Sequence, residues 1–297
     1  MIASLWIATT IAAAAAQASR NALQRGLTVS LGTLGATHVR FLFGLPFSVL
    51  FLGALVAATG ASPRLSFGLV GWAALGGIGQ IAATACMLHA MRDRSFLVTI
   101  AYTKTEPVQV ALFSLAVLGE RPTAWLVAAI AVATVGVMVL SWPGAMGGDR
   151  RALRRSAMLG IASGGFFGIA AVFFKASILE AGSGSFLVDA SATLVASLTA
   201  QTAIMTVWLV LRSPGTMTAI VAEWRPSLAA GFLGAFASQM WFTGFATAPV
   251  AAVRTLGLVE ILFAQAISRG FLKERPSRRE IVGVGLLIVG VALVLQS

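Results

Sequence analysis

Two segments of this chain repeat at a fixed offset. Glu106-Pro107-Val108 leads to Gly119-Glu120-Arg121-Pro122-Thr123 and on to Gly136-Val137, while Glu260-Ile261-Leu262 leads to Lys273-Glu274-Arg275-Pro276-Ser277 and on to Gly290-Val291. Glu106 and Glu260, Glu120 and Glu274, Pro122 and Pro276, and Gly136 and Gly290 all stand 154 residues apart with no gap. A shared offset over several residue types points to two tandem halves, each ending in an apolar helix, a short Glu-Arg-Pro-Thr/Ser turn and a second apolar helix.

The stretches between these landmarks are too apolar for a protein in water. With 58% hydrophobic and 10% charged residues and a mean hydropathy of +0.91, the chain falls outside the soluble range, where about a quarter of residues are charged. Apolar runs of roughly 17–25 residues can cross a hydrocarbon core as helices. Ten such spans are expected, at about 2–19, 32–58, 66–90, 95–118, 123–141, 156–178, 186–211, 227–246, 249–271 and 280–296. The first resembles a signal peptide with an Ala-Gln-Ala cleavage site, but no charge precedes Arg20, so it is read as a retained helix. Clustered glycines in the third, sixth and tenth spans mark helix-packing faces. Cys86 is the one cysteine, which leaves no intrachain disulfide or cysteine metal site.

Five helices per half is an odd number, so the second half enters the membrane from the opposite side. Such inverted repeats recur in secondary transporters. The expected fold is all-α and integral to the membrane: two inverted five-helix repeats, residues 1–143 and 156–297, around a central cavity. Residues 144–155, with Gly-Gly-Asp-Arg-Arg, form a basic cytoplasmic linker. The net charge of +11 is read as a positive-inside signal, with no nucleic-acid face. On this reading Arg20, Arg25, Arg92, Arg94, Arg150, Arg151, Arg154, Arg155, Arg212, Arg225 and the cluster from Arg269 to Arg279 lie in joints on one side. Only Arg64, Arg121 and Lys175 lie on the other. Both termini are then outside the cytoplasm, in a bacterial-type inner membrane.

The paired pattern of apolar run, Gly/Lys-Glu-Arg-Pro-Thr/Ser and apolar run with Gly-Val resembles the drug/metabolite transporter superfamily, in particular its ten-helix duplicated EamA-type members. The resemblance implies a basket of ten helices with a central cavity lined chiefly by the third, fourth, eighth and ninth, with parts of the first and sixth. It also implies export of amino acids, aromatic ones included, or of other small metabolites. The mid-helix proline of the family is present at Pro107, whereas Ile261 stands at the matching place in the second half.

Ionisable residues inside a bilayer normally face a cavity or a partner. His38, Arg40, Lys104, Glu106, Arg254 and Glu260 qualify. Glu106 and Glu260 fall near the midplane, where an alternating-access site belongs. Pro107 removes a donor and frees the Thr103 carbonyl, so the fourth helix is expected to kink beside Glu106. Glu106 either holds a substrate ammonium or pairs with Lys104 or Arg40. Arg254 has no basic counterpart, since Ile100 matches it; as an unpaired guanidinium it either grips a substrate carboxylate or pairs with Glu260. Arg40, with His38, is read as a helix clamp. Tyr102, Trp241, Phe245, Phe166 and Phe167 are candidates for an aromatic wall, and Gln80 and Gln239 either line the cavity or bond between helices. His89 and Asp93 are read as a helix-end pair. Glu120, Pro122, Glu274 and Pro276 are assigned to structural turns.

These residues form no metalloprotease motif, no paired intramembrane aspartates and no Ser/His set, which argues against an enzyme. Neither charge rings nor a carbonyl filter point to a channel, and no Gly-x-x-x-x-Gly-Lys loop points to ATP. The expectation is a monomeric secondary exporter of small metabolites, without a cofactor. Its favoured substrates are aromatic or large apolar amino acids, with nucleosides, organic cations or other amphipathic solutes as the alternative.

Overall fold

The structure, a computed structural model, describes residues 2–93, 99, 102–140, 150–270 and 278–296. The second Glu-Arg-Pro turn, Glu274 to Pro276, linker residues 144–149, Arg94 and the side chains of Arg92 and Asp93 lie outside the described residues. The described helices are α1 (Ile2–Leu42), α2 (Leu45–Thr59), α3 (Phe67–Asp93), α4 (Glu106–Leu118), α5 (Ala124–Leu140), α6 (Arg150–Ala181), α7 (Phe186–Arg212), α8 (Pro214–Ala222), α9 (Trp224–Thr247), α10 (Val250–Leu256), α11 (Glu260–Gly270) and α12 (Arg278–Val294). A 3-10 turn, Gly257–Val259, joins α10 to α11. Ser4–Thr59, Phe67–Met91, Arg154–Ala181, Phe186–Arg212 and Val250–Ile267 are long and apolar enough to cross a membrane, and Glu106–Leu118, Ala124–Val139 and Ile281–Val294 are shorter apolar helices.

The amino-terminal region departs from the expected spans. The sequence suggests a helix ending near residue 19 and a polar joint holding Arg20, yet α1 runs on without a loop. It bends only at Gly32, whose φ of 67° and ψ of 177° break the helical path. That conformation is open to glycine and closed to most side chains. Arg20 therefore sits mid-helix and fully buried, because its head turns into the protein and not toward lipid. The second span is also interrupted, at Phe43–Gly44, where Pro46 in the first turn of α2 cannot donate to a preceding carbonyl.

The offset of 154 carries through the helices. Shifted by that amount, α5 falls on α12, Glu106 on the first residue of α11, and Gly32 on Phe186, the first residue of α7. The main packing pairs follow the same symmetry: α1 lies along α9, α3 along α6, and α5 along α12. Since α6 is the counterpart of α1 and α9 that of α3, the first two contacts are one contact seen from either half. The third is its own counterpart, so the protein is a duplicated ten-span bundle about a pseudo-twofold axis.

Charged groups outside the centre sort to the two ends. At one end the Arg64 N–H donates to the Ala181 carbonyl at 2.8 Å. There Glu120 accepts from the Val250 N–H at 3.2 Å and lies near enough to Lys175 to act on it electrostatically. Glu120 thus ties the α4–α5 turn to the start of α10, while Thr123 caps α5 by accepting from the Leu126 N–H at 3.1 Å. At the other end Arg155 meets His89 Nε2 at 2.6 Å.

The α5–α12 seam depends on the repeated glycine. A Cβ on Gly136 would lie 2.6 Å from the Leu287 backbone nitrogen, and one on Gly290 would lie 2.5 Å from the Ala133 Cβ. With backbone atoms in the way, the helices would have to separate. Gly136→Ala and Gly290→Ala should each lower the melting temperature in detergent, and Gly285→Ala, where a Cβ meets open space, should leave it unchanged.

Candidate functional site

The centre of the bundle is built where both repeats interrupt the same helix. In the first half a turn at Lys104–Thr105 precedes α4, where Pro107 has no N–H to continue the helical ladder. In the second half Ile261 keeps that donor, and the backbone only tightens into the Gly257–Val259 turn. Here the Trp241 indole lies against Gly257, so closely that a Cβ would come within 2.4 Å of the ring. Each break is followed at once by a carboxylate, Glu106 or Glu260.

Both carboxylates are buried, and each is held by a cation from the opposite half. Lys104 Nζ donates to Glu260 Oε2 at 2.5 Å. Arg254 Nε lies 3.0 Å from Glu106 Oε1, an ion pair without hydrogen-bond alignment. Glu260 has two further donors, Gln17 Nε2 at 2.7 Å and Asn21 Nδ2 at 3.1 Å. The Gln17 carbonyl oxygen in turn accepts from Trp241 Nε1 at 3.0 Å. The Arg254 guanidinium sits 4.5 Å from the Trp241 ring centre and 5.2 Å from that of Phe245, and these rings stack 6.2 Å apart. Such cation–π contacts contribute from about 0.5 kcal/mol at exposed sites to about 2 kcal/mol when desolvated.

The structure thus brings together Lys104, Glu106, Trp241, Phe245, Arg254 and Glu260. It corrects their expected pairing: Arg254 is not unpaired, its partner is Glu106 and not Glu260, and Lys104 serves Glu260. The proline-bearing turn swings Lys104 away from its neighbour two residues on and toward the other repeat. Tyr102 instead packs against Gly160 of α6. Gln80 accepts from Gln201 Nε2 at 2.9 Å and Gln239 from Ser191 Oγ at 2.9 Å, so both amides bond to α7. Phe167 is buried, whereas Phe166 is exposed on the outside of the bundle. Arg40 clamps α1 to α3 and α9 through Thr84 Oγ1 at 3.2 Å and Ser238 Oγ at 3.3 Å, and His38 reaches Thr206 of α7 at 3.1 Å. His89 turns to Arg155.

The residues that sequence reasoning missed are on α1. Gln17, Arg20, Asn21 and Gln24 are all buried and recur at helical spacing on one face. A polar stripe in an otherwise Ala-rich helix was the available signal. Above the site, a cavity of about 500 Å³ opens at the Glu120 end, lined among others by Trp6, Ser114, Arg121, Thr247 and Ala252. Ala251 and Ala252 in its wall precede Arg254 by less than one helical turn.

Removing one member of a buried pair costs about 3–5 kcal/mol, because it strands the other charge. Glu260→Ala, which strands Lys104 and two amide donors, should lower the melting temperature in detergent more than Glu260→Gln. Gln17→Ala should have the smallest effect of the three.

Comparisons with known proteins agree with this architecture. A family model described as the EamA-like transporter family matches the chain twice, over residues 4–142 and 154–296. No curated protein matches the sequence. One solved crystal structure, 17% identical, is similar with a TM-score of 0.66 over 97% of this chain and 98% of its own; at that identity the likeness is one of fold.

Proposed function

The chain belongs to the EamA-like transporter family of multi-pass membrane transporters of small solutes, and from that premise we propose that it exports amphipathic solutes bearing a carboxylate, foremost amino acids with aromatic or large apolar side chains. The observation that carries this reading is Arg254, paired with Glu106 and faced by two aromatic rings. An arriving zwitterion can exchange partners with that pair, its carboxylate taking Arg254 and its ammonium taking Glu106. No charge is left unmatched in the exchange, which keeps the desolvation cost low. An apolar side chain then lies along Trp241 and Phe245.

Alternating access follows from the crossing of the pairs. Each joins one half to the other, so a rocking of the halves pulls on both, and a bound solute can replace the contact that opens. Organic cations fit less well, because Arg254 repels them and both carboxylates already have cations. The basic joints support a cytoplasmic linker and both termini outside the cytoplasm. Ten spans with an internal twofold suffice to enclose a cavity in a monomer.

The test is counterflow into liposomes: labelled phenylalanine, tryptophan and leucine outside, the unlabelled amino acid trapped inside. Saturable uptake is expected. Arg254→Lys keeps the charge but loses the planar fork, and should cut uptake about tenfold or more, as expected for a lost charge-assisted bond, with little change in melting temperature. Uptake at the wild-type rate in Arg254→Lys and Trp241→Ala alike would sink the assignment. Reporter fusions at Arg154 should read out in the cytoplasm, and an external readout there would reverse the orientation.

A further inference from the structure

The centre of the bundle holds more positive than negative charge. Four buried cations, Arg20, Arg40, Lys104 and Arg254, surround two buried carboxylates, Glu106 and Glu260. Pairing consumes Lys104 and Arg254, which leaves both remaining arginines with neutral hydrogen-bond partners, although Glu260 also acts on Arg20 electrostatically. Arg20, with no exposed surface, donates from Nη2 to Asn21 Oδ1 at 2.7 Å. Its Nε and Nη1 find no acceptor among the described residues. Arg40, 1% exposed, gives its two terminal nitrogens to the Thr84 and Ser238 hydroxyls, and its Nε has no acceptor. The other acidic side chains described lie elsewhere: Glu120 at the start of α10, Glu180 beside Gly68, Asp189 on the Ser183 N–H and Glu223 between α8 and α9.

The two arginines share one place. Both stems cross Gly234 of α9, where a Cβ would lie 3.0 Å from Arg40 Cγ and 3.3 Å from Arg20 Cδ. Guanidinium does not give up its proton, so two like charges are held together in a medium that penalises each heavily. Hydroxyls and an amide orient them but do not neutralise them. Asn21 also connects them to the ion pairs, since it accepts from Arg20 on one side and donates to Glu260 on the other.

We infer that Arg20 and Arg40 form an oxyanion subsite at the centre of the bundle, suited to a carboxylate or phosphate group in addition to whatever Arg254 holds. This rests on the transporter reading above and narrows its substrate class to solutes that carry, or travel with, an extra negative charge. The nitrogens without an acceptor, Nε and Nη1 of Arg20 and Nε of Arg40, can give such a group charge-assisted hydrogen bonds, and the bound anion completes the charge balance that the protein leaves open.

The test uses the purified full chain in detergent, with melting temperature followed against inorganic phosphate, succinate and acetate at constant ionic strength made up with sodium chloride. Phosphate and succinate should raise the melting temperature saturably, at about tenfold lower concentration than acetate. Arg20→Gln and Arg40→Gln should each raise the half-saturating concentration about tenfold, the loss of one charge-assisted bond. Gly234→Ala, which keeps both charges but displaces their stems, should weaken binding as well, so the inference stays testable if an arginine variant fails to fold. Arg212→Gln, against Trp208 near the end of α7, should bind like wild type. No saturable shift with phosphate or succinate, or the same half-saturation in Arg20→Gln and Arg40→Gln as in wild type, would overturn the subsite.

Counterflow then separates the sources of the anion. Competitive inhibition of amino acid exchange by succinate would make the oxyanion part of the solute, and stimulation by phosphate would make it a separate companion ion. Binding without any effect on exchange would remove the subsite from the transport path and overturn the inference. If no amino acid exchanges at all, the substrate reading of the preceding subsection fails, while the melting shifts still decide this one.

Discussion

Two ion pairs that cross between the repeats, Lys104 with Glu260 and Arg254 with Glu106, fix how the halves meet. Neither carboxylate could remain charged in the bilayer interior without a partner, and neither half supplies the partner it uses. The halves are thereby required to assemble, and the interruptions in the fourth and ninth spans serve that requirement. Each break sits immediately before a carboxylate, so the starts of α4 and α11 bring Glu106 and Glu260 to the same centre. The outer contact of α5 with α12 is a close apolar seam set by Gly136 and Gly290, while α1 with α9 and α3 with α6 are also tied by hydrogen bonds from Arg40, Trp241, Ser163 and Ser177. The centre adds the charge pairing between the halves.

Much of the fold was legible in the sequence because it rests on duplication and hydropathy, which are properties of the chain in one dimension. The offset of 154 maps α5 onto α12 without a shift. The exceptions have physical causes. The sequence places Arg20 in a joint because a charge in an apolar run is the usual mark of a membrane edge, yet a charge is tolerated inside where polar neighbours meet it. Its neighbours Gln17, Asn21 and Gln24 were visible at helical spacing. Gly32 bends α1 without the polar joint that normally separates two spans.

The candidate site was legible in its members and not in its pairings. Glu106, Lys104, Arg254, Glu260 and Trp241 do converge, because intramembrane charge is a strong signal wherever it occurs. Which cation meets which carboxylate depends on the direction of side chains around two irregular backbone segments, and no periodicity encodes that. Tyr102, two residues from Lys104, faces α6 instead, while Gln80 and Gln239 serve the helix contacts of α7.

The scaffold is pseudo-symmetric but its two ion pairs are not equivalent. The carboxylates occupy matching positions, whereas the cations do not: Leu258 stands where symmetry would place a second Lys104, and Ile100 where it would place a second Arg254. Glu260 is gripped by an ammonium and two amides along short bonds. Glu106 has an ion pair whose donor is not aligned with it, and that donor is shared with two aromatic faces. An incoming solute displaces the less directed contact at smaller cost, since fewer hydrogen bonds must be broken to free it. On the proposed function the Arg254–Glu106 pair is therefore the one that would exchange partners, and the Lys104–Glu260 pair, anchored through Gln17 and Asn21 to α1, the fixed side against which it would do so. The two ends differ because the duplicated chain changes the cations and leaves the carboxylates in place.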